Sequence, residues 1–292
     1  MDSILNNLKK EFKKGTILNK IIYINVGVFL LFSILGVFSF MFQFNLSPIL
    51  DQLYLPAENS KLLSQPWSLI TYMFLHIGFL HLLFNMVWLH FAGKIFLQYL
   101  NPKQLLSTYI LGGASGGLIF IVAYNHIPAL AIYTQNAHVL GASAAVLAIM
   151  TAIATYTPNY SVRFPFIGTV KLKHIAIFSI MLDLLSIPKG NAGGHIAHLG
   201  GALFGYLYIK QLKKGNDFSI GFTKWINNIA NLFKTKSKLK TVHKRKKTDI
   251  QFNTEKSALQ KSVDIVLEKI SKSGYDSLSK KEKETLFISS KK

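Results

Sequence analysis

Three long stretches of the chain carry no Asp, Glu, Lys or Arg: residues 21–50, 62–93 and 104–162. Apolar side chains dominate all three, and the polar groups among them are uncharged amides, hydroxyls and imidazoles. A soluble core has no need of charge-free runs this long, whereas one membrane-spanning helix takes about 20 apolar residues. The pattern predicts six spans, at about 21–43, 67–93, 104–124, 139–157, 172–187 and 194–210. The expected class is an all-α membrane protein with six transmembrane helices. The first stretch is longer than the apolar region of a signal peptide and lacks a small-x-small cleavage site, so it reads as a retained span.

Charge orients these spans. The segment to Lys20 holds five lysines against Asp2 and Glu11, and the tail from Lys210 holds 21 basic against 8 acidic residues. Lys94 and Lys103 lie between the second and third spans, and Arg163, Lys171 and Lys173 between the fourth and fifth. The other loops have only Lys61 and Lys189 as cations, beside Asp51, Glu58 and Asp183. The positive-inside rule then puts both termini in the cytoplasm, consistent with an even number of spans. Four segments follow: a cytoplasmic N-terminal piece (1–20), a membrane domain (21–212), a basic amphipathic linker (213–255) and a C-terminal helical hairpin (256–292). The chain has no cysteine, which excludes disulfides, thiolate metal sites and a thiol nucleophile.

Polar groups inside a bilayer are costly and point to function. On the second span, His81 and Asn85 lie roughly 40° apart on a helical wheel, while His76 and His90 project to the other side. On the sixth, His195, His198, Ala202 and Gly205 share one stripe, whose small residues favour close helix packing. On the fourth, Gly141, Ala145, Ala148 and Ala152 make a small-residue face and Ser143 points away from it. The topology sets Ser143, His195 and the His81/Asn85 pair at similar depth near the non-cytoplasmic side. A serine beside a neutral imidazole, with further donors available for an oxyanion, can perform acyl transfer. Asp183, nearer the outer loop, is not expected to orient the histidine, so a Ser–His dyad is predicted.

The stretches "HIGFLHLLFN", "GASA" and "GGHIAHLGGALFG", in that order on spans two, four and six, resemble the rhomboid intramembrane serine proteases. The resemblance covers about residues 60–210. It implies a six-helix rhomboid fold with Ser143 as nucleophile and His195 as general base. It also implies an oxyanion hole from the Ser143 N–H, His81 and Asn85. Gly141 matches the motif glycine, and Gly201 and Gly205 match helix-packing glycines on the sixth span. Such proteases cut transmembrane segments near the outer membrane face and need no cofactor and no metal. The implied partners are single-span or polytopic membrane protein substrates and the lipid bilayer; the implied location is the bacterial cytoplasmic membrane.

Two other readings compete. A catalytically silent rhomboid-like binder of membrane helices would have the same fold without serine reactivity. A metal site or transporter built on His76, His81, His195 and His198 is weakened because His76 points away from His81 and no carboxylate completes the set. In the tail, Trp225, Ile226, Ile229, Leu232 and Phe233 recur at helical spacing, as expected of a helix lying on an anionic leaflet. The lysine run beside it reads as lipid-facing or solvated, and nucleic-acid binding is not expected. Ala258, Val263, Val266, Leu267 and Ile270 define a further helix face. Gly274 breaks the chain, and Ser279 with Glu282 forms a capping-box pattern opening a last helix.

Overall fold

A computed structural model describes residues 15–165, 168–232 and 249–290. The protein is mostly helical. Six helices fall on the six apolar segments: α1 (Ile17–Phe42), α2 (Phe79–Tyr99), α3 (Pro102–His126), α4 (Ser143–Tyr156), α5 (Leu172–Ser186) and α6 (Ala192–Leu212). On length and composition, α1, α2 and α3 could cross a membrane. α4 is apolar but has only 14 residues, and α5 has 15. α6 is 21 residues long, but glycines and histidines dilute its apolar character. Two small antiparallel pairings complete the unit. β1 (Leu55–Pro56) pairs with β2 (His138–Val139), and β3 (Ser161–Phe164) pairs with β4 (Gly168–Lys171).

α2 starts at Phe79, about twelve residues later than the apolar pattern suggests, with Gly78 in extended conformation as its N-cap. The preceding residues make a short helix, Ser68–Thr71, and a 3-10 turn, Tyr72–Phe74. Tyr72, Met73 and Leu75 are buried, and the Tyr72 hydroxyl donates to the Gly113 carbonyl on α3 at 2.7 Å. These three are apolar because protein covers them, which hydropathy alone cannot distinguish from burial in lipid.

The centre is α4. Ten of its 14 residues are buried, from Ala144 to Ala154. Close contact comes from small residues spaced four apart on three helices: Gly112 and Gly116 on α3, Ala144 and Ala148 on α4, Gly201 and Gly205 on α6. A Cβ at Gly112 would strike that of Ala148, and one at Gly116 would strike the Ala197 carbonyl. Cβ atoms at Gly201 and Gly205 would run into the carbonyl oxygens of Ala144 and Ala148. Backbone therefore lies on backbone, as dispersion-driven packing in a membrane requires.

A helix after the sixth, α7 (Phe218–Leu232), belongs to the same compact unit, which extends to residue 234. Its start is tied down by Asp217, which accepts from Gln104 Nε2 (2.9 Å), the Tyr208 hydroxyl (3.1 Å) and the Ser219 N–H (2.9 Å). Burial alone would raise the Asp217 carboxyl, but these donors hold it below its ordinary range. Trp225 and Ile229 are exposed and Ile226 is half-buried; the Leu232 side chain, Phe233 and the lysine run that follows lie outside the described residues. The second unit begins at residue 235 and contains α8 (Asp249–Ser273) and α9 (Lys280–Ser290). Val266 is buried and Val263 and Ile270 half-buried, but Ala258 and Leu267 face outward, so the packed stripe is narrower than expected. Gly274 turns the chain with φ +77°. Ser279 N–H donates to the Glu282 carboxylate (2.7 Å) and Glu282 N–H to the Ser279 hydroxyl (3.4 Å), the reciprocal bonds of a capping box. With Lys269 at 2.9 Å, these hold the Glu282 carboxyl at about 2.

Candidate active site

Ser143 is the first residue of α4. The loop before it is fixed twice, by the β1–β2 pairing and by the Gly141 N–H donating to the Tyr72 carbonyl at 2.9 Å. Gly141 precedes the helix and does not share the small-residue face expected for it. Its φ of +119° is one that side-chain-bearing residues rarely adopt. A Cβ there would also sit 2.9 Å from the His81 ring. The glycine thus lets imidazole, not another helix, approach the turn. The face that packs on α3 and α6 consists of Ala144, Ala148 and Ala152, and Ser143 lies outside it.

The imidazole against Ser143 is His198. Its Nε2 is 2.5 Å from Ser143 Oγ, and its Nδ1 is 2.8 Å from Asp183 Oδ1. His195, predicted as the base, does not reach the serine. It lies one turn nearer the start of α6, with its own Nδ1 2.8 Å from the same Asp183 oxygen. Asp183 was expected to stand apart; it meets both histidines. The reason is the tight connection between α5 and α6. A 3-10 turn, Ile187–Lys189, leads into Gly190 and Asn191, both with positive φ. The Asn191 side chain caps α6 by accepting from the Gly194 N–H. This folds the last turn of α5 back against the first two turns of α6. All three side chains are largely enclosed, with 22–23% exposure for the histidines and 13% for Asp183.

His81 and Asn85 face the same place from α2. The Asn85 amide donates to the His81 carbonyl at 2.8 Å, leaving a second amide hydrogen free to serve the cavity. His76 does not point away from His81. It precedes α2 in the buried turn, and the two rings meet edge-on with centroids 5.0 Å apart. His90 lies elsewhere, on a separate cavity with Lys94 and Arg163.

Two cavities meet at the serine. One, about 380 Å³, runs between α2, α4 and α5, with Asn85, Ser143, Asp183 and His198 along apolar walls that include Phe84, Trp88 and Leu182. The other, about 500 Å³, lies under the loops that lead into α2, α4 and α6 and is lined by His138, Asn191 and Gly194. His81, Ser143 and His198 border both. A hydroxyl, an imidazole on it, a carboxylate behind the imidazole and donors across the cavity stand in the order that acyl transfer through a serine requires.

The fold is matched by comparison. Residues 63–214 match the rhomboid domain, and the chain belongs to the rhomboid family of integral membrane proteins. It is 30% identical over 189 residues to RHOMBOID-like protein 12, mitochondrial, of Arabidopsis thaliana, covering 62% of this chain and 56% of that one. It is 30% identical over 157 residues to the human presenilin-associated rhomboid-like protein, mitochondrial, covering 51% and 38%. Against RHOMBOID-like protein 7 of Arabidopsis thaliana the identity is 25% over 146 residues, covering 50% and 44%. The chain thus spans about half or less of the length of these relatives. Residues 246–292 match a family of unknown function (DUF6576).

Proposed function

We propose that the protein is an intramembrane serine endopeptidase that cuts transmembrane segments of other membrane proteins near the outer face of the bilayer. The observation that carries this reading is the chain of contacts Ser143–His198–Asp183, 2.5 and 2.8 Å long, inside a largely apolar cavity. His198 Nε2 takes the proton of the Ser143 hydroxyl as Oγ attacks the scissile carbonyl. The Nδ1–H of His198 donates to Asp183, which fixes the tautomer and stabilises the imidazolium that forms. As first residue of α4, Ser143 has an N–H outside the helix ladder. Together with the helix dipole and donors from Asn85 and His81, it can hold the oxyanion. His198 then protonates the departing amide nitrogen. Water from the second cavity, activated by the same imidazole, hydrolyses the acyl-enzyme. No cofactor takes part.

The apolar-walled cavity suits an unwound stretch of a membrane helix, since it offers donors for an exposed backbone only at the serine. The six helices are read as six crossings, with both termini on the positively charged cytoplasmic side of a bacterial cytoplasmic membrane. The names of two relatives place them in mitochondria. Single-span or polytopic membrane proteins are the proposed substrates, and nucleic acid is not a proposed partner.

The test is a fluorophosphonate probe applied to the purified chain, alongside cleavage of a transmembrane reporter. Labelling and cleavage by the wild type, both lost in a folded Ser143→Ala variant, would support the assignment. Absence of labelling and cleavage in a folded wild type would favour a silent binder of membrane helices.

A further inference from the structure

We propose that Asp183, His195 and His198 form a binding site for a divalent transition-metal ion of the zinc type, and that the bound ion shuts the active site. This rests on the reading of His198 as the base. Among the described residues, these three are the group of histidine and acidic side chains whose donor atoms converge tightly enough to hold an ion. Two imidazoles and one carboxylate are a donor set that zinc favours, with water as fourth ligand. Both Nδ1 atoms stand 2.8 Å from the single oxygen Oδ1 of Asp183. Ligand atoms about 2.0–2.2 Å from a tetrahedral zinc lie about 3.3 Å from one another, so small side-chain rotations would admit the ion. Of these largely enclosed donors, His198 borders both cavities and Asp183 the one between α2, α4 and α5, which gives an ion its access.

The consequence follows from proton placement. With Nδ1 of His198 protonated and donating to Asp183, Nε2 keeps its lone pair for the serine proton. An ion on Nδ1 moves that proton to Nε2, because a neutral imidazole carries one. No proton is gained or lost overall. Nε2–H then donates to Ser143 Oγ and can no longer accept from it. His195, which touches neither Ser143 nor either cavity, thereby acquires a purpose as the ligand that completes the site.

The test uses the full chain in detergent micelles with zinc alone as the probe, buffered by chelator, and cobalt as a spectroscopic substitute. A folded Ser143→Ala variant should bind one ion per chain and give the visible spectrum of a tetrahedral cobalt site. His195→Gln, which keeps a donor for Asp183, should melt like wild type and bind more weakly by more than about a hundredfold, since even outer-shell partners cost up to that much. Zinc should arrest cleavage by the wild type, reversed by chelator, and leave His195→Gln cutting. Failure of Ser143→Ala to bind one ion, or binding unchanged by His195→Gln and Asp183→Asn, would overturn the site. The binding arm stands even if the chain cleaves nothing, so loss of the protease reading and loss of the metal site are separable.

Discussion

α1 and α6 are both long helices in the same unit, yet they use apolar sequence in opposite ways. α1 buries only Leu18, Ile21 and Asn25 and leaves large side chains such as Leu31, Phe38 and Phe40 exposed. α6 buries Gly193, Ala197, Gly200, Gly201, Ala202 and Gly205 and holds two of the three members of the His–Asp–His cluster. In lipid, large apolar side chains gain little by leaving one hydrocarbon surface for another, so α1 can stay at the periphery. Helices that must fix reacting atoms to within fractions of an ångström need backbone against backbone. Greasiness gives membership of the bilayer; smallness gives position.

The largest effect is expected where α6 meets chemistry. His198→Ala should lower kcat/KM by about 10⁴-fold or more, on the order of 5.5 kcal/mol, as loss of the base does in serine hydrolases. His195→Ala should stay within about tenfold of wild type, because this side chain reaches the serine only through Asp183. Kinetics on a fluorogenic transmembrane peptide would decide. If the two variants exchange places, the base belongs to the first turn of α6 and the geometry above is wrong.

Next comes the seam. Gly201→Val places its Cβ on the Ala144 carbonyl, a backbone atom that cannot rotate aside. Destabilisation of about 3 kcal/mol is expected, seen as a lower melting temperature or loss of folded protein in detergent. Gly141→Ala is milder. It combines a strained φ with displacement of the His81 ring, for about 1–3 kcal/mol. Cleavage should fall further than stability does, since His81 borders both cavities. A Gly141→Ala variant with unchanged melting and unchanged cleavage would show that the turn is not under that constraint.

How much of this the sequence discloses depends on the scale of the question. Four of the six helices follow from charge-free runs and the other two from apolar stretches with few charges, and Ser143, His81 and Asn85 follow from being polar where lipid is expected. Choosing between His195 and His198 asks for a helical phase relative to a neighbour. At 100° per residue, His198 lies about 40° from the mean direction of Gly201 and Gly205, and His195 about 100°. The glycine contact with α4 therefore carried the answer, but only once those glycines are known to face α4. Asp183 was harder, because its place depends on the Gly190–Asn191 turn, where an asparagine adopts φ +51°. Asparagine before glycine-rich sequence marks a turn without giving the direction in which it folds. The late start of α2 was hidden for another reason: residues buried by protein and residues buried by lipid have the same composition.

Asn25 is the place where α1 departs from its own rule. It is fully buried, donates to the Ile21 carbonyl at 2.9 Å and to the Tyr109 hydroxyl on α3 at 3.1 Å. Asn25→Leu should cost about 1 kcal/mol, the usual worth of an interhelical hydrogen bond in a membrane. A double variant with Tyr109→Phe should then lose only the further, long bond from the Tyr109 hydroxyl to the Met73 carbonyl (3.4 Å), because the two groups share the interhelical one. Additive losses would mean that α1 is held by something other than this polar tie.

The smallest effect is expected on the C-terminal half of α1, and its sign distinguishes the two helices most cleanly. Gly36 lies in the helix interior, and a Cβ there would meet nothing within 4 Å. Replacing it by alanine removes backbone freedom from the unfolded chain without disturbing a contact, which stabilises helices by about 0.5–1 kcal/mol. Gly36→Ala should therefore leave cleavage unchanged and raise the melting temperature slightly. The same substitution at Gly205, where the Ala148 carbonyl occupies the space a methyl group would need, should lower it. Two glycine-to-alanine changes of opposite sign in one protein would separate helices held by lipid from helices held by each other. If Gly36→Ala destabilises instead, α1 has a partner at that level, and its exposed Phe38 and Phe40 would have to be read as a contact surface.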